Sequence, residues 1–216
     1  MCDERQRKLA WLTAAVGTAA AAAVAGFVYY RKKLDQEAAR LADVLNVRPG
    51  LVIAEVGAGN GQMSLRLAPL VQPGGRVHTT EFEAKKLVEL GRSVKNSRLE
   101  NVSVINGSET GTELPSETCD AIFMRGVYHH FTAPVDMTRS MFRALRPGGT
   151  LVIIDFPPRL LLSLSTPKGI PKNRGGHGIR KELLRRELIE AGFESVAQWD
   201  DWPFRMYCVV FRKPAI

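Results

Sequence analysis

The stretch that most restricts the fold is residues 51–61, LVIAEVGAGNG. An apolar strand pattern carries Glu55 near its end and breaks into Gly57, Gly59 and Gly61 before a helical pattern begins. Strands buried on both faces read as near-continuous apolar runs, and a glycine turn from strand to helix opens a βα unit. The alternation continues down the chain. Strands are expected at 76–80, 102–105, 120–124 and 150–156, with helices at 34–45, 61–70, 83–94, 133–145 and 180–191. Pro147-Gly148-Gly149 reads as a turn, and 194–199 and 204–212 read as two closing strands. Repeated units of this kind imply an α/β fold with a mostly parallel sheet and helices on both faces.

In such sheets a ligand sits outside the carboxyl ends of the strands. Glycines at 57, 59 and 61 let the backbone turn tightly and come close to a ligand. The spacing is G-x-G-x-G, not the G-x-G-x-x-G of dinucleotide folds. Glu55 is an unfavourable neighbour for a pyrophosphate and a favourable one for a cationic or amino-bearing ligand. A purely structural turn is the bland alternative. The second strand ends at Glu81, where an acid can accept both hydroxyls of a ribose, and Phe82 beside it can stack on an adenine.

EVGAGNG, the acidic end of strand two, CDAIFMRGVYHHF and RALRPGGTLVIIDF together resemble the class I S-adenosylmethionine-dependent methyltransferases. The small-molecule branch that includes ubiquinone and menaquinone biosynthesis enzymes is the nearest in pattern. The resemblance covers residues 34–212 and implies a Rossmann-like, seven-stranded sheet with a reversed final strand. It implies S-adenosylmethionine as cofactor, with Glu55, Gly57, Gly59 and Gly61 around the methionine part and Glu81 on the ribose. Ser108 or Glu109 would face the adenine edge, where the family commonly has an Asp-Ala pair. Arg125 and Gly126 would line the pocket.

Methyl transfer is an in-line displacement that needs a base only when the nucleophile starts protonated. Tyr128, His129, His130, Asp155 and His177 are the candidates, each with a bland reading as packing or helix capping. Residues 157–178 mix Leu160, Leu161, Leu162 and Leu164 with Lys168, Lys172 and Arg174, a composition for a substrate lid at a lipid boundary or for a lid packed on its own core. Gly175-Gly176-His177-Gly178 reads as its hinge. No ligand spacing for a metal is present. Cys2, Cys119 and Cys208 are too scattered for a disulfide framework or a zinc site, which fits a reducing compartment.

Before the domain, residues 9–30 contain no charged side chain. At about 1.5 Å per residue the run covers roughly 33 Å, enough for a hydrocarbon core of about 30 Å. Trp11, Tyr29 and Tyr30 stand where aromatic belts lie, and Arg31-Lys32-Lys33 follow. The chain therefore divides into a flank (1–8), a transmembrane signal anchor (9–30), a basic juxtamembrane segment with a lead-in helix (31–50) and a catalytic domain (51–216). A buried core helix and a signal peptide cut near Ala23-Val24-Ala25 compete with the anchor. The denser cationic cluster after the run places the domain on the cytoplasmic or mitochondrial matrix side.

The chain has 30 Lys+Arg against 22 Asp+Glu, a formal +8. Residues 34–216 hold 24 cations and 20 acids, so half of the surplus flanks the uncharged run. With no (N/D)-P-P-(Y/F) motif after the fourth strand and no basic stripe interleaved with aromatics, a nucleic-acid substrate is not expected. The expected activity is methyl transfer to a small or lipid-associated acceptor by a single-pass membrane protein. A homo-oligomer is left open. The rival reading is a catalytically silent methyltransferase-fold subunit or assembly factor of a membrane complex.

Overall fold

The computed structural model describes residues 2–158, 170 and 177–215, with side chains from residue 21 onward. Seven strands form one sheet: β1 (Val52–Val56), β2 (Arg76–Glu81), β3 (Val102–Asn106), β4 (Cys119–Arg125), β5 (Leu145–Asp155), β6 (Glu194–Trp202) and β7 (Met206–Arg212). Their order is β3-β2-β1-β4-β5-β7-β6. β1 to β5 pair in parallel, and β7 runs antiparallel to both β5 and β6. The order reverses between β1 and β4, which leaves a crevice at the carboxyl ends of those strands.

Alternate residues along the strands feed two cores. Ala54, Ile122, Met124, Leu151, Ile153, Val209 and Phe211 pack with α4 (Pro134–Ala144) and α5 (Lys181–Glu190) through Met137, Met141, Leu184 and Leu188. Ile53, Phe123, Val152, Ile154, Cys208 and Val210 face the other way. They meet α1 (Cys2–Val44) and α2 (Gln62–Leu67) through Leu34, Ala38, Leu41, Met63 and Leu67. On this same side α3 (Ala84–Ser97) adds Val94. A strand period of two places successive side chains on opposite faces, which is why one apolar strand supplies both cores. Cys119 and Cys208 are buried, and burial pushes both thiols up to about 12, so neither is a reactive thiolate near neutral pH.

Three boundaries differ from those expected. Pro147-Gly148-Gly149 lies inside β5, where the β4 pairing jumps from Cys119↔Leu145 to Ala121↔Thr150. The three residues bulge out of the strand, with Gly148 at φ +76° and its N–H donated to Lys213 O. β7 starts at Met206 because Phe204 and Arg205 both adopt φ +61°, a turn that a strand cannot include. Most consequentially, the lead-in helix and the run before it are one element. No proline interrupts residues 2–44, and α1 extends unbroken over all of them.

The last third of α1 is part of the domain. Leu34, Ala38, Leu41 and Leu45 are buried, whereas Val24, Phe27, Val28 and Tyr29 are more than half exposed. Among the described residues no helix is long and apolar enough to cross a membrane. The expected transmembrane helix is thus absent from the elements shown, and residues 9–20 of its uncharged run lie outside the described side chains.

Candidate active site

The carboxyl ends of β1, β2, β3 and β4 open into a cavity of about 460 Å³. Its floor is the loop after β1. Gly57 and Ala58 both donate N–H to Thr80 O, at 2.9 and 3.0 Å, which pins the loop against β2. Gly57 takes φ +70°, and a Cβ there would sit 2.6 Å from Val127 Cγ1. Gly59 at φ +57° has open space around its missing side chain and lines the cavity. Gly61 is different. It caps α2 in a left-handed conformation and is packed against Leu90, 2.9 Å from where a Cβ would stand. It shapes the loop without lining the cavity.

Glu81 ends β2 with its carboxylate held by three backbone amides. Oε2 accepts from Gly59 at 3.1 Å, and Oε1 from Phe82 at 3.0 Å and Glu83 at 3.3 Å. This fixes the carboxylate beside the glycine loop. Phe82, Ser108 and Glu109 join Gly57, Gly59 and Glu81 in the cavity wall. The Ser108 hydroxyl donates to Glu113 Oε1 at 3.1 Å, and Ser108 and Glu109 together form that edge. Thr80, Lys86, Thr132 and Met137 also line the cavity and were invisible to motif reasoning. Lys86 alone left a trace, as the i+3 partner of Glu83 at 2.8 Å on the first turn of α3.

A recess of about 270 Å³ adjoins the loop and contains Glu55 and Arg125 together with Gly57, Gly59, Asn60, Tyr30 and Leu34. Glu55 is buried and accepts from Ser64 through the backbone N–H at 3.0 Å and through the hydroxyl. Burial pushes its pKa up to about 7; the Ser64 hydrogen bonds and the Arg125 charge oppose that rise, and Glu37 adds to it. Arg125 reaches back to α1, donating Nε–H to Glu37 Oε1 at 2.8 Å. Trp202 Nε1 donates to the same oxygen at 3.0 Å, while Glu37 Oε2 is buried with no partner. Sequence reading missed Glu37, which is 88 residues from Arg125 and looks like any charge on an amphipathic helix.

The base candidates separate sharply. Tyr128 is fully buried and its hydroxyl donates to Glu187 Oε2 at 2.7 Å, on the α4/α5 side of the sheet. His129 is 4% exposed, with Nδ1 at 2.6 Å from Asp155 Oδ1 and its backbone N–H at 3.0 Å from Oδ2. Neither Tyr128 nor His129 lines the cavity; both are packed beneath it. His130 does line it, its ring tilted 41° against that of His129 at 3.9 Å between centroids. Partial burial, then the neighbouring His129, push the His130 pKa down to about 4, so it is neutral near pH 7. His177 stands edge-on to His130 at 6.4 Å. Of the expected lid, residues 159–169 and 171–176 lie outside the described residues. Gly178 is clasped, since a Cβ there would be 2.5 Å from Pro157 O, which does not suit a freely turning hinge.

A family model described as "Methyltransferase domain" matches residues 54–153, the span from the glycine loop through β5. Residues 54–153 carry a methyltransferase domain. The domain is similar to the "Ubiquinone/menaquinone biosynthesis C-methyltransferase UbiE" of Pectobacterium carotovorum, at 25% identity over 174 residues covering 69% of each chain. It is also similar to a "Protein-L-isoaspartate O-methyltransferase" of Methanothrix thermoacetophila, at 34% identity over 53% of this chain and 52% of that one. A crystal structure of a SAM-dependent methyltransferase from Aquifex aeolicus shares the fold with a TM-score of 0.69 and 22% identity, covering 86% of this chain and 97% of that one.

The methyltransferase cofactor is S-adenosylmethionine, and the residues present fit it. Glu81 presents a fixed carboxylate for ribose hydroxyls, the unfilled space at Gly59 admits close approach, and Glu55 offers a buried carboxylate for an ammonium. When bound, S-adenosylmethionine would supply an electrophilic sulfonium methyl group for in-line transfer to an acceptor, with the neutral thioether as the leaving group. The protein's contribution is proximity and orientation, worth up to roughly 7–11 kcal/mol in well-aligned systems.

Two results are expected at this site. Glu81→Ala should weaken S-adenosylmethionine binding about a hundredfold, since hydrogen bonds to a charged group are each worth about 1.5–3 kcal/mol. Titration calorimetry reads the loss, and unchanged affinity would remove Glu81 from the cofactor site. The second concerns pH. The folded chain holds the Glu55 proton more tightly than the unfolded chain, whose carboxyl titrates near 4.5. Its contribution to stability is therefore present below about pH 4.5 and lost as pH rises through about 7. Glu55→Gln should flatten that part of the curve in urea melts, and a curve that keeps the wild-type slope would rule Glu55 out as its source.

Proposed function

We propose that this methyltransferase is held on a membrane by residues 9–30 and transfers the methyl group of S-adenosylmethionine to a small or lipid-associated acceptor. The observation that carries the reading is α1: one helix bears the uncharged run at its start and, from Leu34, packs into the domain beside the glycine loop. A stem built this way seats the catalytic site next to whatever surface the run enters. The relatives named for ubiquinone and menaquinone biosynthesis support an acceptor that is itself lipid-associated. The cationic cluster at 31–33 supports a domain on the cytoplasmic or matrix side. Within the site, Gly57, Gly59, Glu81, Phe82, Ser108 and Glu109 hold the cofactor, with Glu55 and Arg125 at its methionine end. His130 and His177 are the histidines placed to meet an acceptor.

The test is alkaline extraction and vesicle flotation of the full chain, followed by methyl transfer from labelled S-adenosylmethionine to extracted membrane lipids. Retention in the membrane with label in the lipid fraction is expected. Release by alkali would overturn the anchor. Label confined to water-soluble products would overturn the lipid-associated acceptor.

A further inference from the structure

We propose that the last exposed turns of α1 and the turn Pro203–Arg205 form a seat for the headgroup layer of an anionic bilayer, and that this seat sets the Glu55 recess at the lipid surface. The inference rests on the reading that residues 9–30 enter the bilayer. Tyr30 closes the uncharged run, and Leu34, one turn later, is already buried in the domain. Four residues of helix rise about 6 Å, which leaves no linker able to hold the domain away from the membrane.

The turn before β7 meets the stem at that height. The Phe204 ring lies edge-on to Tyr30 at 5.6 Å, with Lys33 Nζ at 4.9 Å and Arg125 Cζ at 5.0 Å from its centroid. Phe204 and Arg205 both hold φ +61°, a backbone state that costs a non-glycine residue energy. The strained turn lays the half-buried Phe204 ring against the stem, at the edge of the core that α1 shares with the sheet. Arg31 and Lys32, next to Tyr30 on the stem, and Arg205, next to Phe204 in the turn, are exposed. The acids nearest in the chain are already engaged: Asp35 with Arg66 at 2.7 Å and Asp201 with Arg40 at 2.8 Å. Aromatic rings ringed by cations at the end of an apolar run match the chemistry of an anionic lipid–water interface. Tyr30 and Leu34 also line the recess that holds Glu55 and Arg125, so the seat sets the methionine end of the cofactor site at the height of the lipid surface.

The full chain, reconstituted in phosphatidylcholine–phosphatidylglycerol vesicles containing brominated lipid, tests the seat. Phe204→Trp adds a reporter at the seat. Val196→Trp adds one beside the far end of α1, in the groove lined by Val44 and Leu45, about 21 Å along the helix from Tyr30. Loss of the added emission at Trp-substituted position 204, with little loss at position 196, is the expected result. Co-flotation with equal loss at both positions overturns the seat and leaves the anchor standing. Failure to co-float overturns both. Protection of position 204 that disappears when the chain is diluted to monomers in detergent assigns the face to a second copy and also overturns the seat.

Discussion

Gly57→Ala is expected to abolish S-adenosylmethionine binding and to lower stability by about 3 kcal/mol. Two costs add. The residue holds φ +70°, where a non-glycine residue loses about 1–2 kcal/mol, and its new Cβ would lie 2.6 and 2.8 Å from the two methyls of Val127. Overpacking of that kind typically costs about 1–3 kcal/mol. Val127 has little room to yield. It is β-branched, its carbonyl accepts from His130 N, and the preceding Gly126 donates to Ile154 O at 2.7 Å. Relief must therefore come from the loop itself, which is the cavity floor. Gly59→Ala is the matched control, with a similar φ but nothing within 4 Å of the added methyl. It should cost about 1 kcal/mol in urea unfolding while still weakening the cofactor, because position 59 faces the cavity. Wild-type affinity in the Gly57 variant would mean that the loop after β1 does not form the cofactor floor.

The sheet was legible because its signals are local. Strand period, glycine punctuation and the alternation of β and α units each act over a few residues, and they place β1 to β5 in order. What was not legible depends on contacts across the chain. The bulge at Gly148 is held by Lys213, 65 residues on, and the start of β7 is delayed by two left-handed residues, the first of which packs on Tyr30 of α1. The site divides in the same way. Gly57, Gly59 and Glu81 follow from strand ends, but two adjacent histidines carry no sequence signal of which one faces inward. The 3₁₀ turn Tyr128–His130 decides it, sending Tyr128 and His129 under the cavity and His130 into its wall. Arg125 was placed in the pocket by motif, yet its partner Glu37 comes from the stem, so the first element of the chain is bound into the cofactor recess.

Asp155→Ala should be the costliest single change beneath the cavity, at about 3–5 kcal/mol. Asp155 is fully buried at the end of β5 and accepts from His129 N, His129 Nδ1 and Phe156 N at 3.0, 2.6 and 2.7 Å. Its removal strands three donors without water, and each unsatisfied buried group costs about 1–3 kcal/mol. Asp155 already accepts from two backbone N–H groups, and the tautomer with an N–H at His129 Nδ1 completes the set. Fixing that ring fixes His130, which packs against it at 3.9 Å and forms part of the cavity wall. His129 is thus a positioning residue, and His129→Asn separates that role from catalysis. An asparagine amide can donate to Asp155 in place of Nδ1–H but offers no second ring nitrogen to take a proton. The variant should fold, keep Tm within a few degrees of wild type and retain most methyl transfer, with any His130 limb of its pH profile moved upward because His129 no longer depresses that pKa. If transfer were lost in a folded His129→Asn chain with normal cofactor affinity, the imidazole itself would have to touch the reacting atoms, and the buried geometry would be only one of two states that the enzyme uses.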